Sequence, residues 1–359
     1  MKICVYAICQ NEEKFIERWY ESVKEADLII VSDCESTDNS IKKLEKLGVI
    51  VHSININPWR FDEARNKAMS FIPEDVDICV SIDLDEVFEP GWRKKIEQSW
   101  KKGTTRLKYN YNWSLDEQGN PIVSFMREQI HNRHDYKWTH PVHEILEYVG
   151  KEKEQMDYAS GVTLNHYPDS SKPRSQYLPL LELSVQEDPE DDRNMHYLGR
   201  EYMYYEMWDK SIETLKKHLS LKKATWKDER CASMRYIARC YQSKNNYEEA
   251  RKWLYKAIIE APYLREPYVE MALLEHDQQN FIACLHMCDE ALKIKDRGIS
   301  YINESFAWDS TIYDLLSICY YNLGLYDKAL EYSNEAIKLS PKDERLIQNN
   351  KLFKDKINS

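Results

Sequence analysis

Glycine and proline are scarce in this sequence, and long apolar runs are missing. The chain contains 9 glycines and 12 prolines in 359 residues, which excludes collagen-like and Pro/Gly-rich disordered architectures and makes the few that occur informative breaks. No stretch approaches the roughly 18 apolar residues of a membrane span. The first apolar residues run directly into 11–13 (NEE), so we predict a strand there and not a secretory signal.

Basic residues are outnumbered as well. The sequence has 61 acidic and 50 basic residues and a net charge of −11. Such a protein is a poor partner for nucleic acid or for an anionic lipid surface, because both need a basic face. A sugar diphosphate is still compatible with the sequence if a local arginine, lysine or metal ion offsets its charge.

Signals for cysteine pairing are also missing. The nine cysteines are odd in number, form no CxxC motif and in several cases lie inside apolar runs. Buried, reduced thiols are the simplest interpretation, and they fit a reducing compartment. We therefore expect a cytoplasmic protein without a membrane span.

The predicted secondary structure changes near residue 175, from mixed strands and helices to helices alone. Strand-like and helix-like segments alternate in the first part, which predicts βαβ units and a parallel sheet, and 106–168 is rich in β-formers that extend the sheet with antiparallel strands. Only helical patterns follow the boundary. We predict an α/β, Rossmann-like domain with a mixed sheet at 1–175 and an all-α domain at 176–359. The first predicted strands are 2–9, 27–32, 49–54 and 77–82, and the helices between and after them are 12–24, 38–47 and 61–71.

The all-α part repeats itself. Tyr247 and Tyr326 open similar helical segments, Phe281 opens a third about 34 residues after Tyr247, and Trp208 opens a degenerate earlier copy. This spacing resembles the tetratricopeptide repeat. Each copy has an aromatic residue at the helix start, a small residue three positions later and an apolar face. One helix pair cannot bury that face, so the pairs are predicted to stack into a continuous core with a concave surface.

Two aspartates close an apolar run in the first domain. Asp83 and Asp85 follow the strand pattern at 78–82, and ligands of parallel α/β sheets bind at the carboxyl ends of strands. Two carboxylates packed this closely repel each other unless a cation lies between them. Mg²⁺ or Mn²⁺ takes oxygen ligands and leaves positions for phosphate oxygens. The alternative is an acidic turn that caps the next helix near Pro90.

Six short motifs follow one another over roughly the first half of the chain. They are CVYAICQNE (4–12), SDCESTD (32–38), the F..ARN.A pattern (61–68), DLDE (83–86), WTHPVHE (138–144) and NHYP (165–168). In this series and order they resemble the family 2 glycosyltransferases, which have the GT-A fold; each motif is modest alone, but six in the family's order are specific. One departure is Glu35, where the family often has glycine, which alters the turn and the space beside the base.

The resemblance implies a nucleotide-sugar site at the first strands. Asp33 would accept a hydrogen bond from the nucleobase, which favours uracil and a UDP-sugar; its alternative role is a helix N-cap. Asp83 would contact the ribose. Arg65 would reach the base edge or the diphosphate, although on a helix it can equally pair with a neighbouring acid. Ala7 and Asn11 complete this set.

The resemblance also implies a metal site and a general base. Asp85 and His166 would bind Mn²⁺ or Mg²⁺, since neutral imidazole suits Mn²⁺ and similar ions; a lone histidine after a strand is otherwise more often structural. Glu144, with His143 beside it, would deprotonate the acceptor as it attacks the anomeric carbon in an inverting transfer. Both side chains could instead line a polar groove.

Two further groups are candidates for the rim of the site. Lys172 and Arg174 follow the NHYP segment and would either close over the diphosphate as a loop or simply solvate the linker. Aromatic faces stack on sugars, so Trp113 or Trp138 could line the acceptor site, whereas most aromatic residues of the repeats are expected to serve core packing.

The resemblance implies a metal-dependent glycosyltransferase that takes a nucleotide-sugar. The arrangement is similar to bacterial peptide glycosyltransferases that modify bacteriocins, which join a GT-A domain to tetratricopeptide-like helices and can dimerise through them. A peptide or protein acceptor held partly by the repeats, with a homodimer as the associated assembly, is the leading hypothesis. Transfer to a cell-surface glycan or lipid carrier is one alternative. A scaffold that binds sugar nucleotides without turnover is the other.

Overall fold

The computed structural model describes residues 1–116, 118–169, 175–298 and 300–358. The chain forms two compact units. The N-terminal unit comprises Met1–Ser184 with Ile299–Tyr301, and the C-terminal unit comprises Val185–Gly298 with Ile302–Ser359.

The N-terminal unit contains one large mixed sheet and a separate two-stranded hairpin. The strand order of the large sheet is β3-β2-β1-β4-β7-β6-β10-β5, and β8 pairs with β9. The strands are β1 (Ile3–Cys9), β2 (Leu28–Asp33), β3 (Ile50–Ser53), β4 (Ile78–Ser81), β5 (Glu86–Phe88), β6 (Arg106–Leu115), β7 (Pro121–Asn132), β8 (Tyr136–Thr139), β9 (Ile145–Tyr148) and β10 (Met156–His166).

Helices cover both faces of the sheet. α1 buries Ile16, Trp19 and Val23 at the i, i+3 and i+7 positions expected of an amphipathic helix. The predicted α/β fold with a mixed sheet is therefore confirmed. The helices are α1 (Ile16–Val23), α2 (Ser40–Lys46), α3 (Phe61–Ser70), α4 (Trp92–Ser99) and α5 (Tyr177–Glu187).

One edge of the sheet collects the carboxyl ends of six strands. β1 runs parallel to β2 and β4, and β2 runs parallel to β3. β7 is antiparallel to both β4 and β6, so β6 points the same way as β4, and β10 is parallel to β6. The loops that follow β1, β2, β3, β4, β6 and β10 thus lie along the same edge, where α/β proteins bind their ligands.

The C-terminal unit consists of paired helices, as the repeat pattern predicts. The repeated aromatic residue opens the second helix of each pair, which settles the register that the sequence left open. The helices of this unit are α6 (Asp192–Tyr204), α7 (Trp208–Ser220), α8 (Lys227–Ser243), α9 (Tyr247–Glu260), α10 (Glu266–Asp277), α11 (Phe281–Lys293), α12 (Thr311–Asn322), α13 (Tyr326–Leu339) and α14 (Glu344–Ile357).

Small residues let the two helices of a pair approach each other. Three positions after each opening aromatic lie Ser211, Ala250, Cys284 and Ala329, all fully buried. In the first pair the Ser211 hydroxyl donates to the Gly199 carbonyl at 2.7 Å. The predicted all-α repeat fold is confirmed.

The helices of the described residues and the nine cysteines can be compared with two of the sequence predictions. Within the described ranges, every helix falls short of the length and apolarity needed to cross a bilayer. All nine cysteines are buried free thiols, as predicted.

Candidate active site

The DLDE segment forms the turn at the end of β4, and Glu86 fixes its shape. Glu86 is 2 % exposed. One carboxylate oxygen accepts the Asp83 amide at 3.0 Å, and the other accepts the Tyr111 hydroxyl at 2.7 Å and a hydrogen bond from Arg127. Burial raises the pKa of Glu86, and the positive charge of Arg127, which lowers that pKa, offsets the increase only in part.

The acidic turn does not cap a helix. β5 begins at Glu86 itself, and the helix that follows, α4, has Gly91 at its N-cap without a side-chain capping bond. The acidic side chains therefore lie at the edge of the sheet, and the helix-capping alternative does not apply.

Arg65 bridges two of the acidic candidates. Its two terminal nitrogens donate to the two oxygens of Asp83 at 2.9 and 3.1 Å, and its Nε donates to Glu144 at 2.5 Å. Burial would lower the pKa of Arg65, but the charges of Asp83 and Glu144 outweigh this and raise it. For Asp83, burial is likewise outweighed by the charge of Arg65, and its pKa lies at about 2. The neighbouring acid Asp62 pairs with Arg60 instead.

Asp85 and His166 come together from β4 and β10. His166 Nε2 lies 3.4 Å from an Asp85 carboxylate oxygen, and the Tyr167 amide donates to the Asp85 carbonyl at 2.8 Å. The other ring nitrogen, Nδ1, lies 3.0 Å from the Trp113 carbonyl. Because a carbonyl only accepts, Nδ1 carries a proton, and in the neutral ring Nε2 presents its lone pair towards Asp85.

This pair fits a divalent ion. Two donors of one octahedral ion, each about 2.1 Å from it, lie roughly 3 Å apart, close to the observed separation. In the absence of an ion, burial would lower the pKa of His166, but the hydrogen bond to Asp85 outweighs this and raises it. Within the described ranges, three or more His, Cys, Asp or Glu side chains are not grouped in a way that would hold an ion, so the remaining ligands would be water and substrate oxygens.

Asp33 lies at the end of β2 with one carboxylate oxygen unused. It is 1 % exposed. Its Oδ2 accepts the Ser36 amide at 2.9 Å, whereas Oδ1 is buried with no hydrogen-bond partner in the described part of the chain. The start of α2 is served by Asp38, which accepts the Ser40 amide at 2.9 Å. Asp33 is therefore not the cap of that helix.

Ala7 and Asn11 belong to the strand and turn beside Asp33. Ala7 is buried in β1 opposite Val31 of β2. Asn11 has a positive φ of 55°, and its side-chain oxygen accepts the Thr37 amide at 2.8 Å. Asn11 thus joins the turn after β1 to the loop after β2.

A cavity of about 470 Å³ opens beside this loop. Glu35 lines the cavity, and its side chain accepts a hydrogen bond from Asn55 at 2.8 Å. Its φ of 60° is in the left-handed region, which glycine adopts more readily than other residues. The indole nitrogen of Trp59 is buried without a partner among the described residues. The lining residues are Gln10, Cys34, Glu35, Ile54, Ile56, Trp59, Gln176, Pro179 and Leu180.

The HPVHE segment runs between β8 and β9. His143 has a φ of 50°, its ring lies 5.8 Å from that of Tyr177, and the Glu144 side chain is 11 % exposed. The preceding Pro141 carbonyl accepts the Phe61 amide of α3 at 3.0 Å. This bond holds the segment against the helix that carries Arg65.

Three sequence candidates have other outcomes. Lys172 and Arg174 lie outside the described residues. Trp138 is 1 % exposed, and its indole nitrogen donates to the Tyr6 hydroxyl at 3.0 Å. It is a core residue and cannot present a face to a sugar, which leaves Trp113.

Sequence reasoning missed Arg127 and Tyr111. The guanidinium of Arg127 lies 4.4 Å from the centre of the Tyr111 ring. Both the guanidinium and the Tyr111 hydroxyl donate hydrogen bonds to Glu86. The available signal was a lone arginine in the alternating strand SFMREQI. Alternation places it on one face of β7 but does not show what that face meets.

Comparison with known families identifies two kinds of sequence in the chain. Residues 4–145 match the family model described as Glycosyl transferase family 2, and 237–261 and 310–343 match that of the Tetratricopeptide repeat. The N-terminal unit carries a family 2 glycosyltransferase domain. This domain supports glycosyltransferase activity with a nucleotide-sugar donor, and the repeats support a protein-interaction region. None of the curated proteins compared with the chain matches it.

Solved structures similar to this chain include several repeat proteins. A crystal structure of MamA has 18% sequence identity, covering 50% of this chain and 99% of its own, with a TM-score of 0.39. A thermophilic repeat protein from Thermus thermophilus, TTC0263, has 18% identity, covering 52% of this chain and 91% of its own, with a TM-score of 0.35. The structure of YrrB has 13% identity, covering 49% of this chain and 83% of its own, with a TM-score of 0.37. These values say nothing about function.

Proposed function

We propose that the chain is a metal-dependent, inverting glycosyltransferase that moves a sugar from a nucleotide-sugar, with a UDP-sugar as the leading donor, to a peptide or protein. The observation that carries the proposal is the Asp85–His166 pair, in which His166 Nε2 lies 3.4 Å from an Asp85 carboxylate oxygen and Nδ1 is directed at the Trp113 carbonyl. In the neutral ring, the Nε2 lone pair and the carboxylate both face the position that a divalent ion would occupy.

The donor side of the proposal rests on Asp33, Arg65 and Asp83. The buried, unpartnered oxygen of Asp33 is a ready acceptor for a base N–H, which uracil provides. Ala7 and Asn11 would form the adjoining wall, and Asp83 would contact the ribose. Arg65 would reach the base edge or the diphosphate as a hydrogen-bond donor, while the two carboxylates that it faces already offset its charge.

Asp85 and His166 would hold Mn²⁺ or Mg²⁺, which when bound would neutralise charge on the departing diphosphate. Glu144 is the proposed general base. It would take the proton of the acceptor nucleophile as that atom bonds to the anomeric carbon and the carbon–diphosphate bond breaks. Its hydrogen bond from Arg65 orients the carboxylate, and His143 would line the acceptor path beside it.

The acceptor, the assembly and the location are proposed from the repeats, the family resemblance and the cysteines. The repeats suit an extended peptide, because stacked helix pairs form a concave surface, and a bacteriocin-like peptide with a homodimeric enzyme follows the resemblance. Transfer to a surface glycan or a lipid carrier has no feature of the described residues in its favour. The nine buried thiols support a reducing, cytoplasmic location.

The test is donor hydrolysis and calorimetric binding with Mn²⁺, comparing the wild type with Asp85→Ala. We expect the wild type to bind and slowly hydrolyse a UDP-sugar, and the variant to lose metal-assisted binding by at least about 10-fold, because losing even an outer-shell partner of a metal ligand typically costs roughly 10- to 100-fold in metal affinity. Asp75→Ala is the matched control, since Asp75 is 69% exposed and pairs only at the surface with Lys2. A wild type that binds a nucleotide-sugar with Mn²⁺ but does not hydrolyse it would instead favour the scaffold, and a folded wild type that binds none would contradict both readings.

A further inference from the structure

An aromatic side chain stands exposed next to the candidate metal pair. Trp113 is 49% exposed, and its ring stacks on that of His166 with centroids 4.5 Å apart and planes inclined by 24°. One face of the indole therefore covers the imidazole, and a large part of the remaining surface is open. The exposed part of the ring leaves apolar area in water that a ligand packed on it would cover.

A β-bulge places this side chain. Asn112 pairs with Ser124 and Ser114 pairs with Val123, so Trp113 is the extra residue on β6. The strands are fastened at the bulge: Asn112 donates to the Asn165 side chain at 2.7 Å and accepts from the Ser124 hydroxyl at 2.7 Å. Bulges of this kind redirect a side chain and occur often beside active sites.

The position of Trp113 in the sheet indicates what it meets. The proposed nucleotide residues lie on or just after β1 and β2, in α3 and in the turn after β4, and the proposed metal pair joins the ends of β4 and β10. Trp113 lies on β6, between β7 and β10 in the strand order, on the far side of β4 from β1 and β2. The part of a nucleotide-sugar that extends past a metal-bound diphosphate, away from the base, is the sugar.

We propose that the exposed face of Trp113 stacks on the pyranose ring of the donor and so helps to select the transferred sugar. The inference rests on the proposed function of the same site. The apolar face of a pyranose, made of axial C–H groups, packs on an indole as other apolar groups do. A hexopyranose with a continuous C–H face is the class of sugar that this platform fits.

Trp113→Ala separates the ring from the backbone, because the carbonyl that fixes the His166 tautomer remains. Calorimetry with Mn²⁺ compares UDP-glucose with UDP on the wild type and the variant. We expect the Kd of UDP-glucose to rise roughly 3- to 10-fold and that of UDP to change less than about 2-fold. Trp113→Phe should restore most of the loss, and Trp226→Ala, which removes a 42% exposed tryptophan of the C-terminal unit, should change neither constant.

The outcomes distinguish the two proposals. If the wild type binds neither UDP nor UDP-glucose with Mn²⁺, the proposed function fails and this inference falls with it. If UDP binds normally to both proteins and UDP-glucose loses nothing in the variant, only the sugar platform is wrong. An equal loss for UDP and UDP-glucose would also overturn it, because Trp113 would then act through His166 and the metal.

Discussion

The guanidinium of Arg65 links the proposed donor residue Asp83 to the proposed base Glu144 by three short hydrogen bonds. It holds two acidic groups at a fixed separation, and a planar fork is needed to reach both at once. The role of Arg65 in the site is therefore one of geometry as well as charge.

Arg65→Lys should be a costly change despite keeping the charge. A single ammonium cannot reproduce the paired contacts to Asp83 together with that to Glu144, so we expect nucleotide-sugar turnover to fall by at least about 10-fold and thermal stability to drop. The measurement is steady-state donor hydrolysis alongside a melting curve. Arg93→Lys is the control: Arg93 pairs with Asp27, which precedes β2 at the opposite edge, so turnover should stay near that of the wild type. Full activity of Arg65→Lys would contradict this account.

Among the elements, the α6–α7 pair makes a close helix–helix contact at Gly199 in α6. A Cβ added there would lie 2.5 Å from two side-chain atoms of Leu215 and 3.3 Å from its backbone nitrogen in α7. Leu215 is fully buried and has little room to move. The α6–α7 pair is therefore built around the absence of a side chain at this position.

Gly199→Ala should destabilise the C-terminal unit. Overpacking a well-filled core costs about 1–3 kcal/mol, which exceeds the gain in helix propensity of up to about 1 kcal/mol. Urea unfolding monitored by circular dichroism would measure the loss. Gly298→Ala serves as control, since a Cβ there meets nothing within 4 Å. Equal stabilities of the two variants would show that Leu215 yields freely.

Periodic elements were predictable from the sequence, and contacts between distant elements were not. The strand β1 and the helices opening at Tyr247 and Tyr326 follow from local patterns and lie within a residue or two of their expected starts. The β8–β9 hairpin was missed, because its two four-residue strands are too short to show a clear alternation of apolar and polar residues. The partners of Arg65 lie 18 and 79 residues away in sequence, and no local pattern encodes such pairs.

At the scale of the whole molecule, each unit buries a histidine that stays neutral. Burial lowers the pKa of His131 in the N-terminal unit and of His196 in the C-terminal unit to about 3. His131 Nε2 lies 3.0 Å from the Tyr6 hydroxyl, and His196 Nδ1 lies 2.7 Å from the Ser233 hydroxyl. Both rings are fully buried.

Both units should lose stability as the pH falls below 6.5. Unfolded histidine takes up a proton near pH 6.5 whereas these native rings do so near pH 3, so each contributes a loss of up to about 1.4 kcal/mol per pH unit between those values. Urea unfolding at pH 7 and pH 5 measures the slope. His131→Gln should reduce the pH dependence of the unfolding free energy of the N-terminal unit. His134→Gln, which changes a 61% exposed side chain, should leave it unchanged. Identical slopes in all three proteins would exclude this origin.

The bonds around Glu86 have a consequence for how the acidic turn meets a ligand. Because that carboxylate is already engaged by an amide, a phenol and a guanidinium, the turn is ordered during folding and not on arrival of a substrate. If Asp85 and His166 hold a divalent ion as proposed, a chelator would remove it without loosening the loop, and one divalent ion would replace another with the surrounding backbone unchanged.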